Sequence, residues 1–356
     1  MKTVSSALIL GDAMIPSALF RPAFDRYLAD YVETVEFGDW ETNWDRLQRR
    51  RLEVEKNGPE VEEVPPEVKK TRDAQLLMGL FVPVSAAVME SLPELRIVGV
   101  CRAGLENVDV AAATRRGIVV CNVEGRNAQA VSDFAVGLLL AEVRNIARAH
   151  VSISRSEWRK EFSNSSMIPE LKGKTVGIVG FGHIGRLVAR KLSGFDVNLL
   201  VHDPFVSEQD LAQHNARGVE KQELFRESDF VTLHARLSDA TRGLVGRREL
   251  ELMKPTAYLV NTGRAGLVDH EALEHVLANG GIAGAGLDVF PDEPLPEDSG
   301  LRTLDNVTLT THIAGTTTEA LTNSPFLLME DIRHLLEHGN SRFVVNPEVL
   351  ETSAWA

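Results

Sequence analysis

Arg264, Glu293 and His312 are far apart in the chain, yet each closes a short strand-like segment downstream of a glycine-rich turn. Arg264 follows the run 257–263 (AYLVNTG), Glu293 lies in 286–294 (GLDVFPDEP), and His312 ends 307–311 (VTLTT). In an open parallel sheet the carboxyl ends of the strands converge on the ligand crevice. A cation, an acid and an imidazole delivered there can move a proton alongside a hydride, which is the chemistry of an enzyme. Taken singly, each has a structural explanation: a strand cap, a turn residue before Pro294, a satisfied core histidine. The joint placement at strand ends weakens those explanations.

The turn upstream is 180–185 (GFGHIG), which fits GxGxxG between an apolar strand and a helix. Gly180 permits the tight turn, Gly182 lets a pyrophosphate approach the backbone, and Gly185 lets helix and strand pack closely. The N–H groups opening the helix at His183 and Ile184 favour an anion. Asp203 follows Gly185 by 18 residues at the end of another apolar run, where a carboxylate accepts hydrogen bonds from ribose hydroxyls. The same charge repels a 2′-phosphate, so NAD is expected over NADP. Arg236 could soften that preference or be a surface arginine.

These elements need a scaffold, and 356 residues are enough for two domains. The chain is 44% hydrophobic and 25% charged, ordinary for a globular protein. A net charge of −13 disfavours nonspecific binding to nucleic acid or an anionic membrane. No apolar stretch approaches the ~20 residues that span a bilayer. Lys2 and the short run Ala7–Leu10 read as a first buried strand, not a signal peptide. Cys101 and Cys121 have no metal spacing, so buried thiols in a cytoplasmic protein and no metal site are expected.

Strands are expected at Ala7–Leu10, Val32–Phe37, Leu76–Val82 and Ile97–Val100, with Asp39–Pro66 as a charged surface helix and loop. A partner-binding role for that segment stays open. Ala128–Ala149 gives the longest helical pattern, with Gly137 suggesting close packing. Val151–Leu171 is irregular. From Thr175 the rhythm is regular: strands at Thr175–Val179, Asn198–Val201, Phe230–His234, Ala257–Val260, Ala283–Val289 and Val307–Thr310, with a helix from His183. Several are continuously apolar, as strands covered on both faces are. The tail carries a helical pattern through Ile332, Leu335 and Leu336.

Four blocks resemble the D-isomer-specific 2-hydroxyacid dehydrogenase family, and the likeness covers most of residues 75–350. They are 102–109 (RAGLENVD), the glycine fingerprint with Asp203, 261–269 (NTGRAGLVD), and 288–294 (DVFPDEP) with 312–315 (HIAG). The resemblance implies an α/β fold of two Rossmann-like domains with doubly wound parallel sheets. Crossovers near Cys121–Asn122 and His312–Ile313 would make residues 1–121 and 313–356 a discontinuous substrate domain and 122–312 the NAD-binding domain. It implies a homodimer built on the helix from Ala128 and the arm to Leu171.

By this resemblance His312 is the acid/base at the hydroxyl of a small 2-hydroxyacid or 2-keto acid, Glu293 orients it, and Arg264 binds the substrate carboxylate. Backbone N–H groups of Ala103 and Gly104 resemble a second carboxylate anchor, and Asp288 a supporting residue near the nicotinamide. Arg102 could reach a second anionic group or form a salt bridge to Glu106 or another acid. Phe81 could line the pocket or belong to the core. Thr311, Arg236, Gly263 and Ala265 depart from the family's usual residues without removing a functional group. The end at Ala356 leaves no room for a C-terminal regulatory domain, which argues against serine feedback but not against phosphoglycerate. Glyoxylate or hydroxypyruvate reduction and sugar-acid oxidation stay open. Glu293 speaks against formate dehydrogenases, which carry Gln there. Phosphite oxidation and a non-enzymatic NAD(H)-sensing corepressor are the remaining alternatives.

Overall fold

Short runs of Val, Ile, Leu and Gly bounded by charged helices bury both faces of each strand, the condition for an all-parallel sheet. In the computed structural model, which describes residues 3–351, the chain divides into two compact units. One is Met1–Arg126 with Thr317–Ala356, the other Asn127–Thr316; the sequence reading puts these boundaries at 121/122 and 312/313. The first two and last five residues of the expected substrate domain, Lys2 among them, lie outside the described residues.

Unit 1 holds β1 (Val4–Asp12), β2 (Val32–Glu41), β3 (Leu76–Gly79), β4 (Ile97–Val100) and β5 (Val119–Cys121). They pair in parallel in the order β2-β1-β3-β4-β5. The chain runs from β1 outward to β2 and then crosses back to β3, so the order reverses between β1 and β3. The helix Thr318–His338 returns to this sheet and buries Leu328, Ile332, Leu335 and Leu336. It packs where β4 carries Gly99: a Cβ there would lie 3.0 Å from Ile332 and 3.1 Å from Leu328.

Unit 2 holds β6 (Thr175–Val179), β7 (Asn198–His202), β8 (Ala216–Gly218), β9 (Phe230–Leu233), β10 (Tyr258–Asn261), β11 (Gly284–Leu287) and β12 (Val307–Leu309). The order is β12-β11-β10-β9-β6-β7-β8, again parallel, with the reversal between β6 and β9. Both units are therefore doubly wound α/β sheets of the Rossmann type.

Four expectations need correction. The stretch 128–149 is two helices, Ala128–Val143 and Ile146–Ser154, and the 21-residue Thr318–His338 is longer than either. Asn145 breaks the pattern at φ 57°, a left-handed conformation that Asn tolerates better than most residues. Its side chain is tied down there: Nδ2 donates to Asn164 Oδ1 at 2.8 Å, and Oδ1 accepts from Arg148 Nε at 2.9 Å. Gly137 has open space where a Cβ would stand, not close packing. β3 stops at Gly79, because Val82 folds back to within 2.6 Å of where its Cβ would be. Finally, Asp39–Glu41 completes β2, and the helix Trp44–Asn57 begins behind an Asn43 cap that accepts from the Arg46 N–H. No described helix is long and apolar enough to cross a membrane, and both cysteines are buried as free thiols.

Candidate active site

The candidate residues of unit 2 sit on loops that leave β10, β11 and β12 at their carboxyl ends. Asn261 closes β10 fully buried, and its amide brackets the turn beyond: Oδ1 accepts from the Gly263 N–H at 3.0 Å and Nδ2 donates to the Arg264 carbonyl at 3.1 Å. Arg264 itself is exposed, and its guanidinium donates to the neighbouring Gly263 carbonyl at 3.0 Å. A planar fork held by its backbone and free at its head suits a carboxylate.

His312 has φ 56°, so the backbone turns left-handed at the residue that carries the imidazole. Asp288, fully buried just past β11, accounts for this turn. Its Oδ1 accepts from Thr310 Oγ1 at 2.7 Å and the Ile313 N–H at 3.0 Å, and its Oδ2 accepts from the Ala314 N–H at 2.9 Å. What Asp288 positions here is the loop on both sides of His312.

The His312 Nδ1 lies 2.7 Å from Glu293 Oε2, and Glu293 Oε1 accepts from the Phe290 N–H at 3.0 Å. The carboxylate is thus fixed from behind and holds the ring from in front. An acceptor at Nδ1 places the proton of a neutral ring there, leaving Nε2 with its lone pair for chemistry. The imidazole is about a third exposed, 32%, against 18% for the carboxylate. One face of the pair meets solvent, as a group exchanging protons with a small molecule must.

The glycine turn follows β6 at the point where the strand order reverses. Gly180 has φ 90°, and a Cβ there would lie 2.4 Å from the Ala235 backbone nitrogen. Both conditions demand glycine. At Gly185 a Cβ would stand 2.2 Å from the Gly180 carbonyl, which is the close helix–strand contact. Gly182 differs: nothing lies within 4 Å of its Cβ position, so what it keeps clear is space outside the protein. Its neighbours His183 and Ile184 open the helix His183–Leu192 and present its free N–H groups. Asp203 is half-buried beside them, with Oδ2 accepting from the Phe181 N–H at 2.7 Å and Oδ1 from Phe205 at 2.9 Å. An ionised carboxylate has about four acceptor positions, so two remain for sugar hydroxyls. Open space at Gly182, a helix N-terminus and a seated acid together fit a dinucleotide.

Sequence reasoning missed the His234–Ala235 backbone that seats Gly180, and it missed the Asp288 grip on the 310–314 loop. Both depend on contacts between strands distant in sequence. In unit 1, Arg102 is buried, and its Nη2 lies 2.9 Å from Glu55 and 3.0 Å from Glu106, the salt-bridged alternative. The exposed Ala103 and the adjoining Gly104 have N–H groups with no protein acceptor among the described residues. Among the described residues no three His, Cys, Asp or Glu side chains are grouped to hold a metal.

Comparison with known proteins decides the family. Residues 136–314 match the profile described as D-isomer specific 2-hydroxyacid dehydrogenase, NAD binding domain. A D-3-phosphoglycerate dehydrogenase of Archaeoglobus fulgidus is 37% identical over 87% of this chain and 58% of its own length. A glyoxylate reductase of Thermococcus gammatolerans is 41% identical over 76% of this chain and 83% of its own. The chain belongs to the D-isomer specific 2-hydroxyacid dehydrogenase family. A crystal structure of a glyoxylate reductase from Paecilomyes thermophila superposes with a TM-score of 0.73 at 26% identity, covering 98% of this chain and 100% of that one. The chain spans little more than half the length of the phosphoglycerate dehydrogenases it matches. For this 2-hydroxyacid dehydrogenase family member, the profile covers Arg264, Glu293, His312, Asp288 and the whole glycine turn.

Proposed function

We propose that the protein is an oxidoreductase that transfers hydride between a nicotinamide cofactor and C2 of a D-2-hydroxyacid or 2-keto acid. The observation that carries this reading is the 2.7 Å contact between His312 Nδ1 and Glu293 Oε2, on a ring whose other nitrogen is left for substrate. The bound dinucleotide supplies the hydride acceptor or donor. Gly180, Gly182, Gly185, the helix N–H groups at His183 and Ile184, and Asp203 would hold it. Asp203 favours NAD over NADP, because its charge opposes a 2′-phosphate.

His312 accepts the C2 hydroxyl proton at Nε2 during oxidation and returns it to the carbonyl oxygen during reduction. Glu293 holds the ring's tautomer and stabilises the imidazolium formed on the way. Arg264 binds the substrate carboxylate with two parallel N–H bonds, which fixes C2 relative to the ring. In unit 1 the open N–H groups of Ala103 and Gly104 suit a carboxylate as well.

The protein is further read as a homodimer. Unit 2 exposes Ile146, Val151, Ile153, Trp158, Met167 and Ile168 in and after the helix Ile146–Ser154. That much apolar surface in one stretch marks an interaction site. Two free buried thiols fit a reducing cytoplasm.

The test is NADH oxidation by the purified protein with glyoxylate, hydroxypyruvate, phosphohydroxypyruvate and 2-keto sugar acids. Turnover of one acid that falls about 10²–10⁴-fold in His312→Ala is expected. Turnover that survives the substitution would remove His312 from the mechanism. Tight NADH binding without reduction of any acid would turn the reading toward a sensing protein.

A further inference from the structure

An arginine that anchors a carboxylate works only if the loop beneath it is held, and the loop around Arg264 is held from several directions. Behind it, the Asn261 amide grips the Gly263 N–H and the Arg264 carbonyl. Ahead of it, the single turn Ala265–Leu267 closes with the Leu267 N–H on the Arg264 carbonyl at 3.2 Å and the Val268 N–H on the Ala265 carbonyl at 3.0 Å. On the far side, the Gly243 N–H donates to the Gly266 carbonyl at 2.8 Å and the Val245 N–H to the Leu267 carbonyl at 2.9 Å. One more side chain joins this frame. His270, in the first turn of the helix His270–Ala278, places Nε2 3.2 Å from the Ala265 carbonyl oxygen.

A carbonyl oxygen only accepts, so Nε2 carries the proton and Nδ1 of the neutral ring is a bare acceptor. That Nδ1 is shielded from solvent and has no partner among the described residues. Burial holds the imidazole below its ordinary pKa, so the ring refuses a second proton at neutral pH. The side chain is fixed in one tautomer.

Packing does not call for a histidine here. A leucine or methionine would fill the place without leaving a shielded nitrogen unpaired, a defect that folded proteins rarely carry. Capping does not call for it either, because Asp269 already caps the helix, its Oδ1 accepting from the Ala272 N–H at 3.0 Å. What the imidazole adds is its bond to Ala265, the residue joined directly to Arg264. A local rule broken without local gain is the mark of a functional position.

We propose that His270 is a positioning residue for substrate binding: its Nε2–H holds the Ala265 carbonyl and so sets where the Arg264 guanidinium meets the substrate carboxylate. The proposal rests on the hydride-transfer reading, in which Arg264 is that anchor. The anchor grips the carboxylate before and during hydride transfer alike, so displacing it raises KM and spares kcat.

The experiment compares wild type, His270→Leu, His270→Met, His270→Gln and Arg264→Gln in NADH-dependent reduction of glyoxylate, hydroxypyruvate and phosphohydroxypyruvate. NADH affinity is read by fluorescence titration and folding by circular-dichroism melting. His270→Leu and His270→Met should raise KM for the reduced acid by about tenfold or more, with kcat within about threefold and NADH affinity within about twofold of wild type. Their melting temperatures should stay close to that of wild type. His270→Gln, whose amide can donate to the same carbonyl, should bring KM back to within about threefold. A KM that stays within about twofold in a folded apolar variant overturns the assignment. So does a rise in KM that His270→Gln fails to reverse. Loss of folding in both apolar variants also overturns it, since His270 would then be structural. An unchanged KM in Arg264→Gln removes the anchor and its support together and leaves hydride transfer standing. Reduction of none of the acids by wild type overturns the hydride-transfer reading itself, and the role of His270 with it.

Discussion

Replacing Glu293 by Gln would keep the shape of the side chain and remove the charge that faces His312 Nδ1. An amide can present its nitrogen instead and hold the wrong tautomer, so kcat should fall by about 10²–10⁴-fold with KM little changed. Steady-state kinetics of Glu293→Gln check this; a rise in KM alone, with kcat unchanged, would mean that the carboxylate only shapes the pocket. A second histidine gives a stability prediction. His234 Nδ1 is shielded without a partner, its Nε2 lies 2.9 Å from Thr232 Oγ1, and burial pushes the imidazole down to about 3. Between that value and about 6.5 the unfolded chain binds a proton that the native state refuses, so stability falls as pH falls through this window. The slope is at most about 1.4 kcal/mol per pH unit. The melting temperature should drop between pH 7 and 5, and His234→Leu should flatten that drop. The substitution costs about 1 kcal/mol near neutrality, because the Thr232 hydroxyl loses its partner.

The glycine turn separates folding from binding within one element. Gly180→Ala places a Cβ against the Ala235 backbone at a positive φ, so it should lower both the melting temperature and cofactor affinity. Gly182→Ala meets no protein atom, so it should leave the melting temperature within a degree or two and still weaken NADH binding by about tenfold or more. Calorimetry and NADH fluorescence titration on the pair decide it; equal loss of stability would show that Gly182 is structural. At this scale much was legible from sequence. Continuous apolar runs mark buried parallel strands, and Thr175–Val179 and Ile97–Val100 are observed with the expected bounds. The helix break at Asn145 was not legible, because it is fixed by a hydrogen bond to Asn164, 19 residues on, which no local periodicity encodes. β8 escaped too: Ala216–Gly218 is a three-residue edge strand without an apolar run. Asp288 was visible as a motif residue, but its work on the Ile313 and Ala314 amides needed the pairing of β11 with β12.

For the molecule as a whole, the two units differ in how the chain builds them. Unit 2 is one uninterrupted stretch, Asn127–Thr316, with its own apolar core, whereas unit 1 needs both ends of the chain. Residues 127–316 expressed alone should therefore fold cooperatively and retain NADH binding, while residues 1–126 alone lack the helix that covers β4 and should not. Circular dichroism and NADH titration of the two fragments test this. Trp158, 80% exposed, belongs to the surface proposed for self-association. Trp158→Asp should shift the protein toward monomers in analytical ultracentrifugation; an unchanged sedimentation coefficient would place the interface elsewhere.

The strand order also sets a sequence of failure on heating. The nucleotide turn hangs from β6, in the middle of seven strands, while His312 hangs from β12, a three-residue strand at the border. Border strands open at lower free energy than central ones, so their amides exchange with deuterium first. As temperature climbs, the proton-transfer group should lose its placement while the nucleotide seat is still intact. A warmed sample would then pass through an interval in which it binds NADH and catalyses nothing.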